Sequence, residues 1–336
     1  MKTIVVRNII DFLSITSNSI VHFESGFLQL PEPTPFGAVV FRNLENVIFK
    51  GGMSPKKRVC LSGYPIQFID CKNLTFEKIA FRLTRPPGKD PARYEKWWSS
   101  PRFLSTTANA TTDITFIQCS FSGNTDEIAI RPADGVDLTT LAASRIAFDR
   151  CVFGRSLMNH DPVRGQNHNF GLAATRVDRL VVFKSIFGGH HRRLIQLQGK
   201  GCKVGRCLFV DGGTMFVGLH AGSEARFTNN GFIRGIHNVK RTGFIAPVVD
   251  TSKSMFQSLG GISIALDNKV LWQPDSQPIS IELEVVLPPV LNPVRLIEVS
   301  EGNVGVGDFV DRNLVKMIAA NNIPWVFDEP FDPSEF

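Results

Sequence analysis

The chain has 336 residues, 43% of them hydrophobic, and a formal net charge of +6 at pH 7. This net positive charge favours a polyanionic partner, either an acidic polysaccharide or nucleic acid. The alternative is that the charge serves only to keep the protein soluble. No stretch is long and apolar enough to span a bilayer, and Arg7 and Asp11 interrupt the apolar N-terminus, so we expect neither membrane insertion nor a Sec-type signal peptide. The protein is then expected to be made in the cytoplasm, and an extracellular role would need another route, such as release of a virus by lysis.

Residues 1–36 are predicted to form an N-terminal cap and the first strands. Asn8 to Ser14 fits a short amphipathic helix, which would cover the apolar interior at the open end of a stack of strands. Alternating apolar residues in Ser19 to Leu30 predict the first coil of that stack. Val39 to Phe41 and Val47 to Phe49 predict further strands around a turn that contains asparagine.

An eight-residue pattern, aliphatic-x-Phe-x-x-Cys-x-Phe, recurs through the middle of the chain. Its copies begin at Leu74, Ile114, Ile146, Leu180, Cys202 and Ala225. The last two intervals are 22 and 23 residues, and the earlier ones of 40, 32 and 34 fit the same repeat carrying insertions. Strand-like alternation at such a period predicts a solenoid whose coils each add one strand to stacked parallel sheets. The predicted fold is all-β, a single-stranded parallel β-helix over residues 37–270.

Phenylalanine and cysteine have regular places in this repeat. Phe is abundant at 27 residues and Tyr scarce at 2, which predicts a core of stacked phenyl rings without hydroxyls to satisfy. Cys119, Cys151 and Cys207 share one repeat position, which Ser185 and Asn230 fill in other copies. This substitution pattern favours small side chains packed at a tight turn over disulfides. No Cys and His spacing matches a zinc site, so we predict no metal and no cofactor.

Two insertions are predicted as long loops, over residues 84–110 and 155–169, and loops of this length inside a repeat body usually bind something. The first contains Tyr94, Trp97 and Trp98, which we predict to bind substrate by stacking on sugar rings. Burial against a protein partner or in a local mini-core is the alternative for these aromatic residues. If both loops leave the same corner of the coil, they wall a groove along one sheet.

The repeat fades after Gly235, and residues 271–336 are predicted to form a C-terminal extension for capping or assembly. Ile279 to Val286 and Val294 to Val299 alternate as strands, and Asp308 to Ala320 places its apolar residues roughly on one side of a helix. The acidic and aromatic end of the chain is more typical of docking than of chemistry.

Several segments between Asp113 and Gly235 stand in an order known from one enzyme family. They are Asp126-Glu127-Ile128-Ala129-Ile130, Ile146-Ala147-Phe148-Asp149-Arg150-Cys151, Gly189-His190-His191-Arg192-Arg193-Leu194-Ile195 and Asn229-Asn230-Gly231-Phe232. In this order they resemble the pectate lyases, which carry Asp-Ala-Ile-Ser-Ile, Val-Trp-Ile-Asp-His-Cys, Asp-His-x-Lys-x-x-Leu-x-Gly and Asn-Asn segments. The resemblance implies the right-handed form of the parallel β-helix.

The same resemblance implies where the family's chemistry would lie. Pectate lyases remove an acidic proton beside a uronate carboxylate, using an arginine base and Ca²⁺, which takes six to eight oxygen ligands. Asp149 is the one retained position that resembles a calcium ligand; Phe170 and Ala174 replace the two carboxylates of the family's Asp-Gly-x-x-Asp segment. Thr214 to Leu219, where Arg-x-Pro-x-x-Arg is expected, contains no arginine. We therefore expect the calcium-dependent lyase site to be lost.

Candidate site residues remain within the resemblance and close to it. The catalytic candidates are Asp126, Asp149, His191 and His220, and the substrate-binding candidates besides the aromatic loop are His190, Arg192 and Arg193.

Two functions fit these features. The first is a non-enzymatic bacteriophage virion component, a tail or spike-like protein, that contacts surface glycans or other virion subunits and assembles as a trimer. The alternative is a polysaccharide depolymerase, a lyase or glycoside hydrolase, that acts on an acidic glycan in the groove; hydrolysis would need two carboxyl groups about 5 to 9 Å apart. Nucleic-acid binding has only the net charge in its favour, because no recognisable module is present.

Overall fold

The computed structural model describes residues 1–24, 26–30, 39–51, 59–63, 65–83, 101–123, 126–137, 141–154, 160–161, 166–167, 170–190, 193–212, 215–219, 223–228, 231–233, 255–258 and 263–265. The C-terminal extension predicted over 271–336, with its two strands and its helix, lies outside the described residues. The predicted boundaries near residues 36 and 270 also fall outside them and stay predictions.

One short helix and a long series of strands make up the described residues. In chain order they are β1 (Lys2–Val6), α1 (Ile9–Leu13), β2 (Ser19–Phe23), β3 (Phe27–Leu30), β4 (Val39–Arg42), β5 (Glu45–Lys50), β6 (Val59–Gly63), β7 (Ile66–Ile69), β8 (Lys72–Glu77), β9 (Ile79–Leu83), β10 (Arg102–Ser105), β11 (Thr111–Ile117), β12 (Ser120–Ser122), β13 (Asp126–Pro132), β14 (Ala143–Asp149), β15 (Val152–Phe153), β16 (His160–Asp161), β17 (Gln166–Asn167), β18 (Phe170–Phe183), β19 (Ile186–His190), β20 (Arg193–Lys200), β21 (Cys202–Gly205), β22 (Leu208–Gly212), β23 (Met215–Leu219), β24 (Glu224–Thr228), β25 (Gly231–Ile233), β26 (Met255–Ser258) and β27 (Ser263–Ala265). No helix in these ranges has the length and hydropathy needed to cross a membrane.

The strands pair in parallel to form three ladders that run along one axis. Sheet I contains β1, β2, β5, β8, β11, β14, the second half of β18, β21, β24 and β26. Sheet II contains β3, β6, β9, β12, β15, β19, β22, β25 and β27, and sheet III contains β4, β7, β10, β13, the first half of β18, β20 and β23. The chain visits the sheets in the order I, II, III in each complete coil, and β18 runs unbroken from III into I. The predicted all-β parallel β-helix is confirmed.

Phenyl rings stack coil upon coil inside the helix, as predicted. In sheet I, successive ring centroids from Phe49 through Phe76 and Phe116 to Phe148 are 4.6, 5.0 and 4.7 Å apart. In sheet II, the distances along Phe81, Phe121, Phe153, Phe187 and Phe209 are 5.3, 5.1, 4.2 and 5.0 Å. Because strands repeat about every 4.8 Å across a parallel sheet, one ring per strand places the rings in offset-stacked contact.

Cysteine occupies the tight turn between sheets I and II, also as predicted. In each coil, the backbone N–H after the turn residue donates to the carbonyl oxygen of the turn residue in the coil before. Val152 N donates to Cys119 O at 3.0 Å, Ile186 N to Cys151 O at 2.9 Å and Leu208 N to Ser185 O at 2.9 Å. Cys119, Cys151 and Cys207 therefore lie in one column, with Ser185 between the last two. All six cysteines are reduced and buried.

The N-terminal helix caps the stack. The Asn8 side chain accepts hydrogen bonds from the backbone N–H groups of Ile10 and Asp11, which satisfies donors that the first turn leaves unpaired. Phe12 is fully buried against the rings of Phe23 and Phe41, at centroid distances of 6.0 and 5.3 Å. The predicted helical cap is confirmed, and the strand β1 that precedes it extends sheet I beyond the predicted start.

The predicted loop ranges need one correction. Residues 102–105, placed by the sequence within the 84–110 loop, form β10 of sheet III, and Phe103 is buried in the core. This short strand pairs with β7 and β13. The sequence did not indicate it because it directly follows a proline-rich stretch. Within the predicted loop over 155–169, β16 and β17 form a small antiparallel pair.

Candidate functional site

Both insertions are attached at the same corner of the coil. Residues 84–101 connect β9 of sheet II to β10 of sheet III, and residues 155–169 lie between β15 of sheet II and β18 of sheet III. We predicted a groove along one sheet if both insertions leave the coil at the same corner. Their points of attachment agree with that condition. The outer face of sheet III, which begins at this corner, is the candidate site.

The outer face of sheet III carries both polar and apolar side chains, two arginines among them. Ile128 and Ile130 point into the core, so the residues that alternate with them point outward. Strand register aligns the outward residues in two columns, Gln67, Arg102, Ala129, Ala173 and Gln196, and beside them Ile69, Leu104, Arg131, Thr175 and Gln198. Amide, hydroxyl, guanidinium and apolar groups make up these columns. Three described carboxylates lie at the borders of these columns. Glu127 is fully buried at the corner, Asp134 is in the turn after β13, and Asp70, which follows Ile69, accepts a hydrogen bond from Thr106 N at 2.7 Å.

Arginine side chains hold fixed positions on this face. Arg131 Nη1 is 2.8 Å from Asp134 Oδ1, with 36% of the Arg131 side chain exposed. Arg193 lies 5.2 Å from the centroid of the Phe170 ring and donates to Gln196 Oε1 at 2.5 Å. Only 8% of Arg193 is exposed, so its guanidinium positions Gln196 and packs on the ring while presenting little surface. The substrate-binding role predicted for Arg193 stays a prediction. In this position, Arg193 would affect a substrate mainly by orienting the side-chain amide of Gln196.

A buried carboxyl and imidazole meet where sheet II turns into sheet III. Glu127 Oε1 is 3.7 Å from His190 Nε2, and both side chains are fully buried. Burial lowers the pKa of His190 to about 3, so the imidazole is neutral at pH 7 and this contact is not an ion pair. The distance also exceeds that of a hydrogen bond, and neither imidazole nitrogen has a hydrogen-bond partner among the described residues.

Gly171 makes room for this histidine. A Cβ at position 171 would lie 2.5 Å from the carbonyl oxygen of Leu194 and 3.3 Å from Cε1 of His190. His190 is therefore an internal residue of the corner, and its predicted role in binding substrate, for which it presents almost no surface here, stays a prediction.

The positions that resemble the family's calcium ligands are not brought together. Asp149 ends β14 on the outer face of sheet I, where its Oδ2 is 2.7 Å from Arg150 Nη2. Phe170 and Ala174 lie instead in the sheet III half of β18, and both are buried. The order of segments along the chain did not reveal which of the three sheets each one joins. No group of three or more His, Cys, Asp or Glu side chains suited to a metal ion occurs in the described part of the chain.

The remaining candidates are only partly located. Asp126 begins β13 opposite Phe170, and its side chain lies outside the description. Tyr94, Trp97, Trp98, His191, Arg192 and His220 also lie outside the described residues. The sequence-based reasoning missed Gln67, Arg102 and Gln196 as groove-face residues. These residues could have been found from their alternation with apolar core residues, as in Arg102-Phe103-Leu104 and Gln196-Leu197-Gln198.

Comparison with known proteins supports the fold. No protein family description and no curated protein matches the sequence. Among solved structures, the chain is similar to the pectate lyase of Paenibacillus sp. 0602, with a TM-score of 0.52 and 9% sequence identity over 91% of each chain. At this identity the likeness concerns the fold alone. The chain thus has a parallel β-helix of the pectate lyase type, and its ligands must be argued from its own residues.

Proposed function

We propose that this protein is a glycan-binding β-helix without lyase activity, which binds an acidic polysaccharide along the outer face of sheet III. The observation that carries the proposal is the composition of that face: the half-buried side chains of Arg131, Gln67, Gln196 and Gln198 lie on it, and the described residues contain no cluster of three or more acidic side chains suited to a metal ion. Guanidinium groups match carboxylates in charge and in the geometry of their donors, and amides bind hydroxyl groups. An acidic sugar polymer offers both kinds of partner.

The placement of the positions that resemble calcium ligands supports the proposed loss of the calcium-dependent reaction. A Ca²⁺ ion that acidifies a substrate proton needs several carboxylate ligands at one place. Asp149 is on sheet I and is paired with Arg150, whereas Phe170 and Ala174 are core residues of sheet III. This placement supports binding of the polysaccharide on sheet III without calcium-dependent cleavage.

The setting we propose is a bacteriophage virion, with the protein as a tail or spike-like subunit that contacts surface glycans or neighbouring subunits. A stack of parallel coils has long flat sides, and three such stacks side by side could bury the more than about 2,000 Å² typical of obligate assemblies. Measurement of the solution mass by size-exclusion chromatography with light scattering tests the trimer. A monomer at high concentration would contradict autonomous trimerisation.

Native electrophoresis through gels containing polygalacturonate tests the binding face. We expect the polymer to retard the wild-type protein and Arg131→Gln to reduce the retardation. Lys72→Gln removes the same charge from sheet I, where Lys72 is exposed and 3.9 Å from Glu45, and serves as the matched control. Equal effects of the two substitutions would show that net charge, and not the sheet III face, causes the retardation.

A depolymerase is the second candidate, and the similarity of the fold to that of a pectate lyase favours it. The contact between Glu127 and His190 does not support it, because both side chains are fully buried and a polymer cannot reach them. Release of reducing or unsaturated ends from uronate-rich polymers by the wild-type protein would establish this candidate. Absence of both products would remove it.

A further inference from the structure

Basic residues line the corner between sheets I and II, on the side of the three-sided coil opposite sheet III. At this corner five successive coils each turn through one residue with a positive φ: Lys78 (55°), Gln118 (52°), Arg150 (53°), Lys184 (49°) and Arg206 (54°). We call the four charged members, Lys78, Arg150, Lys184 and Arg206, the cation ladder.

Backbone hydrogen bonds fix the rungs of the cation ladder above one another. Gln118 N donates to Asp149 O at 2.9 Å, Arg150 N to Phe183 O at 3.0 Å, and Lys184 N to Gly205 O at 3.1 Å. Each acceptor immediately precedes the next rung in sequence. Arg150, Lys184 and Arg206 therefore follow one another at the spacing of parallel strands, about 4.8 Å, along the axis of the helix. Lys78 lies two strand spacings before Arg150, with Gln118 between them.

Backbone conformation does not explain why these residues are lysine and arginine. A positive φ favours glycine and asparagine, and disfavours residues with long side chains. Asparagine occupies the first part of a neighbouring column of positive φ in sheet I, where Asn46 Nδ2 donates to Asn18 Oδ1 at 3.0 Å and Asn73 Nδ2 to Asn46 Oδ1 at 2.7 Å. Arg145 and Arg179 continue that column, each paired with an aspartate. At the corner, four of the five positive-φ residues are lysine or arginine. Residues held in such conformations are concentrated at sites that bind ligands.

The upper rungs lack carboxylate partners within the described part of the chain. Arg150 is paired with Asp149, but Lys184 and Arg206 lie instead against the ring of Phe183, at 5.3 and 5.6 Å from its centroid. Lys203, exposed in the adjoining column of sheet I, adds a further positive charge. Like charges one strand spacing apart repel each other, and an anion that bridges the rungs would relieve the repulsion.

We propose that the cation ladder binds a linear acidic polysaccharide that runs parallel to the helix axis, at a site separate from the sheet III face. Its regular rungs suit an extended polymer with one anionic group in each repeating unit. Beside the rungs, half-buried Phe183 and Val181, which is 38% exposed, offer an apolar surface to the C–H face of a sugar.

Nucleic acid fits the cation ladder less well. Measured along the axis of a duplex, each strand presents a phosphate about every 3.4 Å, which does not match the rung spacing. A single strand is bound by exposed aromatic faces on which bases stack. The Phe183 ring is already in contact with two cations.

The double substitution Lys184→Asn with Arg206→Asn tests the proposal. Asparagine is more compatible with a positive φ than lysine or arginine, so these changes remove two charges while preserving the turn. The matched control, Lys2→Gln with Lys72→Gln, removes two exposed charges of sheet I away from the corner. Affinity for polygalacturonate is measured at several salt concentrations, with single-stranded DNA as a second probe.

We expect the asparagine variant to bind polygalacturonate about tenfold more weakly and with a smaller salt dependence, and the control to change about twofold at most. Lys184→Arg with Arg206→Lys should retain binding. Equal losses in the asparagine variant and the control, or no loss in either, would overturn the proposal. A larger loss for DNA than for polygalacturonate would overturn it in favour of a nucleic acid. Arg131→Gln reports separately on the sheet III face, so failure of either site can be distinguished from failure of the other.

Discussion

Replacing Phe116 with alanine tests the stacked core most severely. Phe116 is fully buried at the middle of the sheet I column, with the rings of Phe76 and Phe148 stacked at 5.0 and 4.7 Å. The rings of Phe103 and Phe121 meet it edge-on, each at 5.5 Å. The substitution therefore breaks four aromatic contacts and opens a cavity between strands whose spacing is set by backbone hydrogen bonds.

The expected cost follows from these contacts. Truncation of a buried phenylalanine costs about 3 to 5 kcal/mol, and the loss is larger where the surroundings cannot collapse into the cavity. Stacked and edge-on pairs each add about 0.5 to 1.5 kcal/mol beyond the buried area. We expect Phe116→Ala to lower the free energy of unfolding by about 5 kcal/mol.

Urea unfolding followed by circular dichroism measures this loss. Phe183→Ala is the matched control, because Phe183 belongs to the same sheet but lies half-buried on its outer face. We expect the control to lose about 1 kcal/mol, as for substitutions away from the core. Similar losses in the two variants, or a loss below about 1 kcal/mol in Phe116→Ala, would refute a core of stacked rings.

Three further predictions concern protonation, thiol reactivity and turn conformation. Burial lowers the pKa of His190 from 6.5 to about 3, so between these pH values the unfolded chain binds a proton that the folded chain does not. The free energy of unfolding should therefore fall as the pH is lowered from about 6.5 towards 3, by up to about 1.4 kcal/mol per pH unit. His190→Gln should flatten that part of the stability profile, and an unchanged profile would contradict a buried neutral imidazole. Burial raises the pKa of Cys119 and of Cys207 to about 12, so a thiol reagent should modify none of the six cysteines in the folded protein and all six in denaturant; rapid modification of the folded protein would be inconsistent with the turn column. Asn46→Ala should destabilise the protein by about 1 to 2 kcal/mol and Asn46→Gly by less, because glycine adopts a positive φ without the steric penalty of a Cβ; equal losses in urea midpoints would show that conformation is not the cause.

The sequence was sufficient to predict the coils because their spacing is a local property. Phe76, Phe116 and Phe148 stand at one repeat position, and a residue type repeated at strand spacing becomes a column in a solenoid. The helical cap was predictable for the same reason, since Asn8 and Phe12 determine it within one turn.

The site was less predictable because it depends on contacts between coils. The run from Gly189 to Arg193 is polar in sequence, yet His190 is buried because Gly171, in the preceding coil, leaves space for its ring. Asp149 matched a family segment, but the match did not reveal that it belongs to sheet I while Phe170 belongs to sheet III. The cation ladder gave no local signal either, since lysine and arginine are not the residues expected at a positive φ.

We propose that this β-helix binds acidic polysaccharide without cleaving it. Native electrophoresis through a polygalacturonate gel containing Ca²⁺, followed by staining of the gel for intact polymer, measures binding and cleavage on the same protein band. We predict a retarded band with no cleared zone around it. A cleared zone that depends on calcium would show that the lyase reaction persists, and a band that migrates as in a polymer-free gel would show that the glycan is not bound.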